Sequence, residues 1–368
     1  MNVSLTSLPF GVALAATIVL MLWVVWLLSA VAPRLGLMDY PSARKIHAEP
    51  VPVVGGVALF LVLALVSAIQ VNAIPLFVWP LLASSVVLVG VGLLDDRHDL
   101  SPLWRFVAQG VAIALVIGLT GVRIDSFGFL LSDQWPVQLG WLAVSVTLFG
   151  VIGIINAINM ADGIDGLAAA LVLVPLFFLW MLVPEAEWKQ WLSLLMVALG
   201  VFVIFNLFGG RKRIFLGDAG SLFLGFVLGW LVVYFSQGNH RVIYPVTALW
   251  LLALPVFDTI FVMTRRIQAG RSPFSPDQRH LHHFLMRQGH SARKTLAIIV
   301  VYALILAQVG ILMLHYAVPE HWQFYAFVAL SGVYYFALWY GWQQVDARQS
   351  SPDTHGVNRG KGQSGDSQ

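Results

Sequence analysis

The sequence predicts an all-α integral membrane protein with about eleven transmembrane helices, a periplasmic N-terminus, a cytoplasmic C-terminus and an active site on the cytoplasmic face. Three observations carry this. The mean hydropathy is +0.81. Of the 368 residues, 59% are hydrophobic and only 11% charged, where soluble domains carry about 25% charged residues. The apolar residues fall in long runs, and the basic residues crowd into alternate loops between them.

One soluble core could not hide so much apolar surface, whereas lipid can cover it. A helix needs roughly 17–25 apolar residues to cross the hydrocarbon. Such runs occupy 9–31, 54–71, 76–94, 103–120, 139–157, 166–183, 190–207, 219–236, 246–264, 295–316 and 322–344. They must be helical, because lipid offers the backbone no hydrogen-bonding partner. The first run has no Lys or Arg before it and exceeds a signal-peptide core, so it reads as a retained span, although Ala30-Val31-Ala32 resembles a cleavage site. Segment 121–138 carries a weak hairpin signal. No polar linker divides residues 1–345, which form one polytopic domain. Residues 346–368, rich in Gly, Ser and Gln, predict a disordered cytoplasmic tail. No internal repeat is visible.

Of the 21 Lys and Arg residues, only Arg123, Lys189 and Arg241 fall on the outer side. The positive-inside rule therefore sets the orientation. The expected partner of these charges is the lipid bilayer, not nucleic acid. Without cysteine there is no disulfide framework, thiolate nucleophile or cysteine-ligated metal.

Carboxylates and histidines gather on the same inner side. Asp95, Asp96 and Asp99 follow the third run in GLLDDRHDLSP. An adjacent pair such as Asp95–Asp96 can be a solvated helix end. A pocket ringed by carboxylates would repel an anionic substrate unless a divalent cation were bound, which points to a metal–diphosphate site. In NAINMADGIDGL, Asn156 and Asn159, and Asp162 and Asp165, stand at i and i+3. On a helix each pair shares a face. A turn is the alternative, but amides at the end of an apolar span are costly if unpaired. Asp218, in FLGDAGS, is either an N-cap or a metal ligand beside helix amides that suit phosphate.

His280, His282 and His283 lie in the longest inner loop, near Arg271 and Arg279. Zinc is the ready comparison, but no cysteine helps and the spacing is not H-x-x-x-H. A pocket for phosphate oxygens and hydroxyls suits them better. Asp258 lies within the ninth run, lining the pocket or joining two helices.

Asp95-Asp96 after an apolar helix, Asn159-Met-Ala-Asp162-Gly-Ile-Asp165-Gly-Leu, Phe215-Leu-Gly-Asp218 and His280-Leu-His282-His283 occur together and in this order. With SPFSPD and VTALW, the pattern runs from about residue 30 to residue 345 and resembles the polyprenyl-phosphate N-acetylhexosamine-1-phosphate transferases. The tail departs from relatives that end in a strongly basic stretch. A translocase of the muramyl-pentapeptide nucleotide is a poorer match, because Glu49-Pro-Val-Pro-Val-Val-Gly55-Gly56 stands where that group has Gly-Thr-Pro-Thr-Met-Gly-Gly.

The resemblance implies transfer of N-acetylglucosamine 1-phosphate, or a close N-acetylhexosamine 1-phosphate, from a UDP-sugar to undecaprenyl phosphate in the bacterial inner membrane. UMP leaves, and a lipid-linked glycan such as O-antigen begins. It implies Mg²⁺ or Mn²⁺ held by Asp218 with Asn159, and Asp95 acting on the prenyl phosphate beside Asp96. Phe215 would stack on uracil, and Asp162 and Asp165 would shape the nucleotide pocket. His280, His282, His283 and Arg279 would bind sugar and phosphates, with Lys45 and His47 completing the substrate site. A homodimer is compatible with it. Direct displacement is the expected route. A phosphate monoester has a second pKa of about 6, so Asp95 positions as readily as it deprotonates. A covalent aspartyl-phosphate is the rival. A transporter would instead place ionisable groups near the bilayer midplane, with a repeat across two halves. An intramembrane aspartyl protease is rejected, because it wants two acids inside helices and a Gly where Phe215 stands.

Overall fold

A computed structural model describes residues 8–41, 49–273 and 277–350. Lys45, His47 and residues 351–368 of the expected tail lie outside the described residues. In chain order the elements are α1 (Phe10–Leu35), β1 (Met38–Asp39), β2 (Val51–Pro52), α2 (Gly55–Ile69), α3 (Val78–His98), α4 (Pro102–Thr120) and α5 (Ala143–Ala161). There follow α6 (Leu167–Leu182), α7 (Ala186–Phe208), α8 (Gly217–Ser236), α9 (Pro245–Leu251), α10 (Ala253–Gln268), α11 (Leu281–Arg287), α12 (Ala292–His315) and α13 (Glu320–Ser350).

Each apolar run expected from the sequence coincides with helix. Among the described residues, eight helices are long and apolar enough to cross a membrane, and α9 with α10 makes a ninth. α2 and α6 are equally apolar but shorter, at 15 and 16 residues. The protein is thus a multi-pass all-α membrane protein. Large apolar side chains such as Trp26, Phe149 and Phe336 face outward, as lipid contact requires.

α8 is the axis of the bundle. Every residue from Ala219 to Ser236 is buried. α2 and α3 approach it through glycine: a Cβ on Gly56 would overlap the backbone of Gly220, and one on Gly92 would overlap Ala219. Small residues let membrane helices pack backbone to backbone, where van der Waals contact replaces a hydrophobic drive.

Three features were not read from the sequence. α9 and α10 meet at a bend of 78°. Pro255, in the first turn of α10, has no N–H to carry the helical ladder back into α9. α13 continues as helix to Ser350, beyond the expected domain boundary at residue 345. β1 and β2 pair antiparallel, Met38 opposite Pro52 and Asp39 opposite Val51. Segment 121–138 closes as a hairpin through an antiparallel bridge between Ser126 and Gln138.

Candidate active site

The FLGD segment enters α8 from an extended residue, Phe215, which bridges to Val53. Phe215 donates its amide to Pro52 O at 2.9 Å, and its carbonyl accepts from Gly55 N at 2.9 Å. The β1–β2 pair therefore serves as a fixed edge that sets the height of Asp218. Gly217 turns the chain at φ +73°, and a Cβ there would press on a carboxylate oxygen of Asp96 at 2.6 Å. Only glycine meets both demands.

Asp96, on the last turn of α3, accepts from Asp218 N at 2.8 Å and from Ala219 N at 3.2 Å. It caps α8 from a neighbouring helix, satisfying amides that a helix start leaves open. Asp218 is therefore not the cap of its own helix, and these two amides are not open to phosphate. Its side chain points instead to α5: Asn159 Nδ2 donates to Asp218 Oδ1 at 2.6 Å and to Ser221 Oγ at 2.8 Å. Asn156, one turn earlier, donates to Gln109 Oε1 of α4 at 2.8 Å. The two asparagines thus tie α5 to α4 and to α8.

Asp95 is buried. Its Oδ1 accepts from Leu100 N at 2.7 Å, and the Arg105 guanidinium lies 3.1 Å from Oδ2. That contact is an ion pair without hydrogen-bond alignment, which leaves Oδ2 with an unused acceptor position. The Asp218 carboxyl is its other close neighbour.

Asp162 ends α5 and presents surface to solvent, while the surrounding protein partly desolvates its carboxyl. That desolvation, with the negative charges of Asp218 and Asp96, pushes its pKa up to about 7. Asp165 pairs with Arg213, whose guanidinium lies 5.1 Å from the centroid of the Phe215 ring. One face of Phe215 is thus already covered.

The histidine loop forms an adjoining group. Asp258 of α10 accepts from Leu281 N at 2.8 Å and from the Tyr334 hydroxyl at 3.0 Å, and its Oδ2 lies 2.7 Å from His280 Nδ1. Asp258 therefore joins elements, holding the start of α11, and it also lines a small cavity with Leu281 and His282. His282 is buried and packs on Gly163, where a Cβ would collide with its ring. This contact joins the histidine loop to the DGIDG turn. Burial, and next the charge of His283, bring the His282 pKa down to about 3. Burial, and next His280, bring His283 down to about 4. Both are neutral hydrogen-bonding rings at pH 7. Arg279 donates to Asp346 Oδ2 at 2.7 Å and faces α13, away from the acids.

Among the described residues no three His, Asp or Glu side chains converge as a ready-made metal cage. The donor set nevertheless fits Mg²⁺ or Mn²⁺. Mg²⁺ takes one or two carboxylates and fills its other positions with water and substrate phosphate. Asp218 with an unused Asp95 oxygen or with Asp162 meets that demand, and crowded carboxylates gain from a cation between them.

Residues 78–236 match the family model described as Glycosyl transferase family 4. The chain is 35% identical over 318 residues to the undecaprenyl-phosphate alpha-N-acetylglucosaminyl 1-phosphate transferase of Haemophilus influenzae, covering 84% of this chain and 88% of that one. The protein of the same name from Escherichia coli K12 is 35% identical, over 85% of this chain and 86% of its own. That of Salmonella typhimurium is 34% identical, over 78% and 79%. The chain belongs to the polyprenyl-phosphate N-acetylhexosamine-1-phosphate transferases.

Within this transferase, the matched segment spans α3 to α8 and contains Asp95, Asp96, Asn159, Asp162, Asp165, Phe215 and Asp218. Sequence reasoning passed over Arg105, Gln109, Arg213, Ser221 and Tyr334. Arg105 and Arg213 were visible only as inner-face charges. Their partners lie on other helices, so no local pattern announces them.

Proposed function

We propose that this enzyme transfers N-acetylglucosamine 1-phosphate from its UDP-sugar to undecaprenyl phosphate, releasing UMP and starting a lipid-linked glycan such as O-antigen. The observation that carries the reading is the meeting of Asp95, Asn159, Asp162 and Asp218 at one end of the buried α8. The names of relatives aligned over most of the chain agree with it.

In this reading α2 and α6 also cross the membrane, for eleven spans in all. The N-terminus is periplasmic, the C-terminus cytoplasmic, and the site opens to the cytoplasm of a bacterial inner membrane. Apolar composition and the asymmetry of Lys and Arg support this. Lys45 and His47, which precede α2 in the sequence, complete the substrate site.

A prenyl-phosphate oxygen attacks the sugar-bearing phosphorus. The bond from that phosphorus to the UMP oxygen breaks, and UMP leaves with the electron pair. Asp95, whose Oδ2 makes no hydrogen bond, orients the attacking phosphate or takes its remaining proton. Arg105, its ion-pair partner, stands where that phosphate would arrive. Asp96 keeps α8, and with it Asp218, in register. Asp218, oriented by Asn159, would hold a divalent cation, which would neutralise charge on the diphosphate. Phe215, beside the Arg213 guanidinium, stacks on uracil. Neutral His282 and His283 donate or accept with sugar hydroxyls and phosphate oxygens. Positioning and electrostatics carry most of phosphoryl transfer, so no covalent intermediate is needed.

The test is purified enzyme with undecaprenyl phosphate, Mg²⁺ and a panel of UDP-sugars, scored for UMP. Release is expected with UDP-N-acetylglucosamine. No release with any sugar overturns the assignment.

A further inference from the structure

We infer that α13, the last helix, acts as a clamp that sets the position of the histidine loop, with Tyr334, Trp342 and Asp346 as positioning residues of the transfer reaction. This rests on the function proposed above and assigns roles to residues outside the motifs that carry it.

The contacts are spread along three turns of one helix. Tyr334 donates its hydroxyl to Asp258 Oδ1 at 3.0 Å, the same carboxylate that holds Leu281 N and His280 Nδ1. With the peptide amide and the hydroxyl both on Oδ1, Oδ2 is left to His280, so the hydroxyl helps fix which way the carboxylate and the imidazole face. Two turns on, Trp342 is 2% exposed. The guanidinium of Arg279 lies 5.1 Å from its ring centroid and that of Arg287 lies 5.4 Å away. Those arginines bracket α11, one before its start and one at its end. Phe284, in the middle of α11, packs on the same indole at 5.7 Å, and its ring also fills the space beside Gly341. One turn further, Asp346 accepts from Arg279 Nη1 at 2.7 Å.

α11 has seven residues, too few to hold a helix without tertiary support. His282 and His283 therefore take their place from what grips α11. On one side that is Gly163 of the DGIDG turn, on another it is α13, and α12 packs on α11 as well. The Arg279–Asp346 pair is partly exposed and weak alone. The buried indole between two cations is the stronger hold, and Tyr334 supplies the directional one.

The full-length chain carries the test, as Tyr334→Phe, Trp342→Leu, Trp342→Phe, Asp346→Arg and the swap Arg279→Asp with Asp346→Arg. Hydrogen exchange over residues 280–287, UMP release and the unfolding temperature are read for each. Tyr334→Phe and Trp342→Leu are expected to speed exchange in α11 and to raise KM for the UDP-sugar about tenfold, equivalent to about 1.4 kcal/mol. Unfolding temperature should stay near wild type in Tyr334→Phe and fall in Trp342→Leu by the loss of buried volume, and Trp342→Phe should recover most of both losses. The swap should outperform Asp346→Arg alone. A purely structural role would lower the unfolding temperature and the active fraction with KM unchanged, and that result overturns the inference. So does unchanged exchange in α11 in both Tyr334→Phe and Trp342→Leu. If wild type releases no UMP from any sugar, the proposed function fails, and exchange still decides whether α13 holds α11. Should Trp342→Leu not accumulate, Tyr334→Phe, which removes one oxygen atom, decides between the two outcomes.

Discussion

The Asp96 carboxylate and the amide of Asp218 are hydrogen bonded at 2.8 Å across two helices. The adjacent acids of α3 therefore divide their work: Asp96 caps the start of α8, and Asp95 keeps one buried oxygen without a hydrogen bond, beside Arg105.

Asp96→Ala is expected to destabilise the protein by about 1–2 kcal/mol, the loss of a helix cap, and to lower activity with it. Asp95→Asn should leave the unfolding temperature near wild type while reducing kcat by more than about a hundredfold, the scale of a positioned acid–base group. Thermal unfolding beside UMP release separates the two. Equal thermal effects would show that the acids share one role.

Asp162, with its pKa at about 7, holds its proton more tightly when folded than when unfolded. Without metal, that contribution to stability is complete below the unfolded pKa of about 4 and is lost as pH rises through the folded value. A bound divalent cation would offset the loss. The gap in unfolding temperature between Mg²⁺-loaded and chelator-treated enzyme should therefore widen from about pH 5.5 to about pH 8. Asp162→Asn, which cannot ionise at this position, should weaken that dependence. A gap that ignores pH in wild type contradicts it.

Gly163→Ala would push the His282 ring from its seat against the DGIDG turn. The expected result is a loss of kcat/KM of about tenfold to a hundredfold, because small misplacements of positioned groups are expensive in rate. Steady-state kinetics with varied UDP-sugar checks it, and wild-type kinetics would show that the two groups work independently.

Orientation is open to labelling because the chain has no cysteine. An impermeant maleimide on intact cells should modify Asp133→Cys, in the hairpin of residues 121–138, and spare Ser101→Cys, between α3 and α4. The reverse pattern would invert the proposed topology.

What the sequence disclosed follows from how far each property reaches along the chain. Hydropathy is local, so every expected span met a helix, and even the short α2 and α6 stand where apolar runs lie. Asp95, Asn159, Asp162 and Asp218 were legible because polar groups at the end of an apolar span are costly without a purpose. Their partners were not. Nothing near Asp96 says that its oxygens reach the amides of α8, and nothing near Asp258 names Tyr334, 76 residues away. The bend before α10 had a visible cause in Pro255, yet hydropathy averaged across it. Asp346 lay in a stretch whose composition reads as unstructured, and its pairing with Arg279 appears only once α13 is seen to continue.

The complete enclosure of α8 bears on how the enzyme tolerates its membrane. No residue from Ala219 to Ser236 meets an acyl chain, so a thicker or thinner bilayer acts first on outer helices such as α1, α4 and α13. Those can tilt to relieve hydrophobic mismatch. The height of Asp218 is set by β2 and by the tight faces of α2 and α3, not by lipid, which insulates the chemistry from shifts in fatty-acid composition.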